Sequence, residues 1–548
     1  MNKLKYILIF ILYFTLSHGV EALDIEYGTI LSVKSPNVII EYNGIDKKQN
    51  FICSVTTRKC TKTMKLTLGI TPAKTVKKSL QQELINNGAN RITLSPSEKL
   101  VAYYTRATNT KPARTFTIRD LKTNKEYSTS NSVSYWDLVN EQSRVFNFSP
   151  NSKNLVYLDD KDGEFALYIT DTTKLSGDTI ESIKLPTSAY QVDDFLFTDN
   201  KTLYYIGNTK ESPYVWSLYR YNLTTNKDII VESNVSYADS IKKVGQALVF
   251  NRLQTKGYGP EIYNLNTKKI EQFKVPNINT KKSITNQEII KADKLNGVLM
   301  TPTKNDLEKT YPLVIWLHGG PYRQSSYGYH PFHSYGTYDS ILELLRKNNV
   351  IVLKVDYRGS FGFGRVHSEG IKESVGLGDI EDVMNAVTYT KNRYHISDVY
   401  LAGNSYGGYI ALKALTEHPD AFTGVVSING VTDWESLLVN MRTSIFNTHF
   451  NGLPDVNNRT LYDKASIINN IDKIGNQKIS IIAGESDRTI PFSQATLLYD
   501  KLKSANKNVT LVSYKDEDHV YEKKETIQDL CKQLFTFVGI EIDPECSK

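Results

Sequence analysis

The sequence is poor in the residues that carry redox and metal chemistry. Of its 548 residues four are cysteine, nine histidine and five methionine. No His/Cys/carboxylate cluster has ligand spacing, so no metal or other cofactor is implied. Long apolar runs are also missing: residues 6–16 form a run of 11, whereas crossing a bilayer takes about 20. Nor is there a dense run of one charge. The 66 Lys and Arg against 59 Asp and Glu leave a net charge of +7 over the whole chain, which offers a phosphate backbone nothing to follow, so no nucleic-acid partner is expected. With 40% hydrophobic and 23% charged residues, the composition is neither disordered nor that of a polytopic membrane protein, and the length asks for more than one domain.

The first residues are charged, the next are apolar, and small residues lead to Ala22. That order describes a cleaved secretory signal peptide over residues 1–22, with no stable membrane span remaining, and therefore an exported protein, periplasmic or extracellular. Export gives the even number of cysteines a meaning. Cys53 lies close to Cys60, and Cys531 close to Cys546, so two local disulfides are expected, with four idle thiols as the alternative.

Residues 23–283 form one expected domain, and between about 50 and 275 its sequence repeats itself. Asp120-Leu121-Lys122-Thr123-Asn124-Lys125, Asn222-Leu223-Thr224-Thr225-Asn226-Lys227 and Asn264-Leu265-Asn266-Thr267-Lys268-Lys269 each follow an alternating, strand-like stretch. Such polar tips are turn chemistry between antiparallel strands. The anchors Val55, Leu121, Thr172, Leu223 and Leu265 are 66, 51, 51 and 42 residues apart. That spacing is near the ~40–50 residues of a propeller blade, and a β-sandwich would not repeat a whole unit at this period. An N-terminal all-β propeller of five or more blades is predicted. From residue 284 to 548 continuous apolar strands alternate with helical segments, the pattern of a doubly wound, mostly parallel sheet in an α/β domain. The polar stretch 277–294 is the expected junction.

Within that second half, Gly403-Asn404-Ser405-Tyr406-Gly407 stands between a strand and a helix. G-x-S-x-G in that setting is a nucleophile elbow, making Ser405 the candidate nucleophile. The fold then requires an acid and a histidine in that chain order. His519 follows the last strand, behind the acidic run Asp516-Glu517-Asp518. Asp487 follows the preceding strand, with Glu485 as its competitor. A serine hydroxyl is a weak nucleophile until an imidazole takes its proton, and a carboxylate holds that imidazole in the useful tautomer. The segment His318-Gly319-Gly320-Pro321 after an early strand, and Tyr406 after the nucleophile, are where such hydrolases place oxyanion donors. His318 itself reads as a residue that braces its loop.

In their order, His318-Gly319-Gly320-Pro321, Asp356-Tyr357-Arg358-Gly359-Ser360, Gly403-Asn404-Ser405-Tyr406-Gly407-Gly408, Asp487 with Ile490-Pro491, and His519 resemble the prolyl oligopeptidase family of serine peptidases, in particular its acylaminoacyl-peptidase and dipeptidyl-peptidase branches. The resemblance implies a propeller joined to an α/β-hydrolase domain, a Ser405–Asp487–His519 triad, and the backbone N–H groups of Gly320 and Tyr406 as oxyanion donors. It also implies Trp434 and Leu437 as walls of the substrate pocket. Arg358 and Asp379 are read as structural ion-pair partners. No pair of glutamates marks recognition of a free N-terminus, and the legible hairpins number fewer than the seven or eight blades usual in the family. A secreted peptidase of short peptides is the expected function, as a monomer or a homo-oligomer. A carboxylesterase using the same triad and a catalytically silent propeller protein are its rivals.

Overall fold

The computed structural model describes residues 27–547 apart from 35, 45–46, 64–77, 106–114, 130–144, 238–240, 255–256, 276–283, 293, 304–307 and 441–445. The expected signal peptide, residues 1–22, lies outside the described residues, as do residues 277–283 of the expected junction. No helix among the described residues is long and apolar enough to cross a membrane.

Five four-stranded antiparallel sheets follow one another, over residues 27–63, 89–128, 146–184, 191–233 and 242–272, each with its strands in chain order. The repeated tips are Asx turns. Asp120 Oδ1 accepts from the N–H groups of Lys122 and Thr123, Asn222 Oδ1 from Thr224 and Thr225, and Asn264 Oδ1 from Asn266 and Thr267. Four residues after each of these acceptors, Asn124, Asn226 and Lys268 turn the chain at positive φ. A side-chain carboxylate or amide thus replaces the backbone acceptor the turn would otherwise lack. Sheet faces interlock through aromatic rings: Phe116 of the second sheet packs 5.6 Å from Phe146 and 4.4 Å from Tyr157 of the third. The ring closes between its ends. Lys59 of the first sheet forms a parallel bridge with Lys274, Arg58 Nη1 donates to Glu271 at 2.5 Å, and Val38, Ile40 and Phe51 share a core with Val244 and Val249. The structure is a propeller, with five blades among the described residues.

The remaining sheet has eight strands: β1 (Gln287–Ala292), β2 (Leu295–Met300), β3 (Thr310–Leu317), β4 (Ile351–Val355), β5 (His395–Asn404), β6 (Gly424–Ile428), β7 (Lys478–Gly484) and β8 (Val509–Tyr514). Their spatial order is 1-2-4-3-5-6-7-8, parallel from β4 onward. Helices α1 (His333–Lys347), α2 (Gly378–Lys391), α3 (Tyr406–Glu417), α4 (Trp434–Asn440) and α5 (Lys524–Val538) belong to this α/β-hydrolase domain. Burial on both faces explains why its strands read as unbroken apolar runs. Both local disulfides are present, Cys53–Cys60 in the first blade and Cys531–Cys546 clasping the terminal turn to α5.

The propeller seats on the loops after β3 and β4. Trp216 stacks on Phe361 at 5.3 Å and donates its indole N–H to Gln324, while the Tyr214 hydroxyl donates to Asp356. Beside this contact, Arg365 donates to the main-chain carbonyl of Asp160. The Asp160 side chain is 1% exposed, and neither carboxylate oxygen has a hydrogen-bond partner among the described residues. Burial pushes its pKa up to about 7 against the pull of Arg365. Because that value lies above the unfolded ~3.9, the fold favours the protonated acid. The contribution is full below the unfolded value and is lost as pH rises through the folded one. Asp160→Asn should therefore be flatter with pH, exceeding wild type near pH 8 by up to ~4 kcal/mol, measured as urea midpoints across that range.

Candidate active site

Ser405 stands between β5 and α3 at φ 56° and ψ −121°, a conformation costly for a residue with a Cβ. Tight packing holds it there. A methyl group on Gly407 would stand 2.0 Å from the Leu317 carbonyl oxygen, and one on Gly403 2.6 Å from the same atom, so only glycine lets the helix start so close to β3. The Ser405 N–H donates to Ile428 at the end of β6. Three strand ends thereby meet beneath the serine hydroxyl.

The other two triad candidates come from the loops after β7 and β8. His519 Nδ1 donates to Asp487 Oδ2 at 2.7 Å, and Asp487 Oδ1 accepts from the N–H groups of Thr489 and Ile490, each at 2.7 Å. Glu485 turns away and accepts from the Ser513 hydroxyl. Two of the carboxylates preceding His519 are engaged elsewhere than on its ring. Glu517 accepts from the N–H groups of Glu522 and Lys523, and Asp518 binds Arg488 and the His519 N–H. Those contacts hold Asp518 down at about 2. Asn429, at the end of β6, ties the loops together: its Oδ1 accepts from the Gly484 N–H and the Tyr521 hydroxyl, and its Nδ2 donates to the His519 carbonyl.

Ser405, His519 and Gly320 border one cavity of about 280 Å³. Among the described residues the Ser405 hydroxyl has no hydrogen-bond partner; in free enzymes the nucleophile–base contact commonly closes only when substrate is present. Gly320 sits at φ +124°, and Tyr406 is the first residue of α3, where helix N–H groups lack an intrahelical acceptor. His318 is 2% exposed, stacks on Tyr357 and bonds Ser360 and its own loop, as a bracing residue would.

The pocket candidates are buried, and the ion-pair expectation needs correcting. Trp434 and Leu437 are 0% and 3% exposed and belong to the domain core, where Trp434 packs among Tyr406, Tyr409, Phe446 and Phe450. Helix α4 thus lies against the residue that follows Ser405, and neither Trp434 nor Leu437 is among the residues lining the cavity of about 280 Å³. Arg358 and Asp379 do not pair with each other. Arg358 grips Asp382 and Glu381, whereas Asp379, on the buried face of α2, accepts from the Tyr406 hydroxyl at 2.7 Å and from the Gly376 N–H. Burial pushes Asp379 up to about 6. It is a positioning group for the residue that follows the nucleophile.

Sequence reasoning did not single out Asn404, Tyr335 or Arg323, which also line the cavity. Asn404 was visible inside the nucleophile motif. Tyr335 and Arg323 lie in an aperiodic stretch after β3 that carried no pattern to read. The Tyr335 hydroxyl and Ser405 Cβ are each 2.9 Å from the point a Gly319 side-chain carbon would occupy, hence no more than twice that apart.

Residues 336–543 match the model of the prolyl oligopeptidase family, and this part of the chain is a domain of that family. The acylamino-acid-releasing enzyme of Mus musculus is 27% identical over 243 residues, 42% of this chain and 32% of that protein. The chain thus matches about a third of the length of such curated relatives. Among solved structures, a Mycobacterium tuberculosis puromycin-hydrolyzing peptidase superimposes with a TM-score of 0.65 at 14% identity, covering 95% of this chain and 97% of that one. Porphyromonas gingivalis dipeptidyl peptidase 4 gives a TM-score of 0.66 at 16% identity, covering 93% and 71%. At those identities the likeness is one of fold.

The elbow yields a direct expectation. Gly407→Ala drives a methyl group into main chain, so it should lower the unfolding free energy by ~3 kcal/mol or more and slow labelling of Ser405 by a fluorophosphonate. Chemical denaturation and labelling rates measure the two effects.

Proposed function

We propose that the chain is an exported serine peptidase that hydrolyses short peptides through an acyl-enzyme on Ser405. One observation carries this reading: the Ser405 hydroxyl faces the same cavity as the His519 ring, whose far nitrogen is held by Asp487 at 2.7 Å. With Nδ1–H committed to Asp487, Nε2 is left as the base. It takes the Ser405 proton as Oγ attacks the substrate carbonyl. The resulting oxyanion is received by the N–H groups of Gly320 and Tyr406, each donor stabilising the transition state by about 3–4 kcal/mol. As the C–N bond breaks, His519 hands its proton to the departing amine. Water, activated by the same imidazole, then releases the acyl group.

The restriction to short peptides is supported by the propeller seated on the loops after β3 and β4, the first of which also carries Gly320 and Arg323 of the cavity. Small esterases need no such domain. Export is supported by the charged and apolar start of the sequence and by the two disulfides, which persist outside a reducing cytosol.

The test is digestion of a library of short peptides, with free and blocked N-termini, by wild type, Ser405→Ala and Asp487→Asn. Wild type should cleave and react with a fluorophosphonate. Ser405→Ala should do neither, and Asp487→Asn should lose roughly 10⁴-fold in kcat. Cleavage surviving in Ser405→Ala would remove the nucleophile. Rapid turnover of simple acyl esters with peptides untouched would convert the reading to an esterase.

A further inference from the structure

The cavity that Ser405 lines is lined by His519 as well. Its lining includes Val520 and Tyr521, which follow His519, Arg323, Ser334, Tyr335 and Thr337 from the stretch after β3, and Asn404 beside Ser405. Position assigns its occupant. In acyl transfer the protonated imidazole must reach the departing amine, so the amine and the residues attached to it occupy the imidazole's side. At about 280 Å³ the cavity is below the roughly 300–1,000 Å³ of pockets that enclose drug-sized ligands, room for one or two residues.

Its charge is one-sided. Among the described residues lining it, Arg323 carries the one fixed charge and none is a carboxylate. Arg323 is held in place: Nη1 donates to the Tyr322 carbonyl at 2.8 Å, the guanidinium lies 5.3 Å from the Phe332 ring centroid, and its Cγ passes 3.1 Å from where a Gly320 side-chain carbon would stand. The Tyr335 hydroxyl stands next to it, facing the Arg323 guanidinium, the Asn404 side chain and the Gly319 N–H. Asn404 is 9% exposed, and its Oδ1 has no hydrogen-bond partner among the described residues, an arrangement that costs free energy unless a ligand or water completes it. A planar guanidinium flanked by a phenol suits a carboxylate better than a neutral amide.

Resting on the peptidase reading above, we infer that this cavity receives the leaving residues and that Arg323, with Tyr335 beside it, binds a carboxylate carried on the amine side of the scissile bond. That carboxylate is either the free C-terminus of a short peptide or an acidic side chain in the first leaving residue.

Three versions of one short peptide separate the possibilities: a free C-terminal acid with a neutral leaving residue, the corresponding C-terminal amide, and that amide with Asp as the leaving residue. Wild type should show a kcat/KM about tenfold or more higher for the acid than for the amide. Arg323→Met should bring that ratio close to one, and Arg323→Lys should restore part of it. If the Asp amide also matches the free acid, the site accepts a side-chain carboxylate as well as the terminus; if it falls with the plain amide, the site takes the terminus alone. Equal turnover of all three by wild type, or an acid-to-amide ratio unchanged in Arg323→Met, overturns the inference and leaves the peptidase intact. Cleavage of none of the three overturns both. A measurement on wild type alone guards against a misfolded variant: the acid product should slow fluorophosphonate labelling of Ser405 at about a tenth of the concentration the amide product needs, and equal protection counts against the carboxylate site.

Discussion

The molecule turns on the approach of one helix to one strand. Helix α3 begins so near the end of β3 that neither Gly403 nor Gly407 has room for a side chain, and Ser405 between them is held at positive φ. Such a backbone costs of order 1–3 kcal/mol and persists because the surrounding sheet fixes it. What results is a hydroxyl lifted clear of the sheet. The same crowding brings Gly319 against Ser405, so the loop after β3 and the start of α3 form one surface.

Around that point the site is assembled by polar ties rather than by side chains that react. Asn429 joins the ends of β6 and β7 to the His519 loop, and Asp379 fixes the far end of Tyr406 from below. Asp356 extends the network to the propeller. It accepts from Tyr214 of the fourth blade and from the Ser325 N–H, and lies 3.3 Å from the His318 ring. The propeller therefore touches the frame of the site through a buried carboxylate, one step removed from Gly319 and Gly320.

What could be read in the sequence was what local chemistry decides. An Asp or Asn two residues before its own turn donors forms the same Asx turn wherever it occurs, so the blades were legible from their tips. The order of serine, aspartate and histidine is set by topology and was equally plain. What misled was anything that depends on which face of a helix meets the core. Asp379 sits on the face of α2 that meets Tyr406, while Arg358 pairs with Asp382. That orientation is not encoded in a short motif. In the acidic run before His519, Glu517 and Asp518 hold backbone N–H groups and Arg488, which is equally invisible in the bare run. Arg323 and Tyr335 come from a stretch with no period, where only the packed structure says what stands beside the nucleophile.

The seam between the first and fifth blades bears on how such a chain is made. The strands around Cys53 and Lys59 find their neighbours in residues 244–275, some two hundred positions later. A ribosome releases the opening blade long before its partner exists, and contacts so distant in sequence form slowly. Until the last blade emerges, the first presents an unsatisfied flank. Biogenesis of the ring is thus a matter of timing, with its two ends the last to meet.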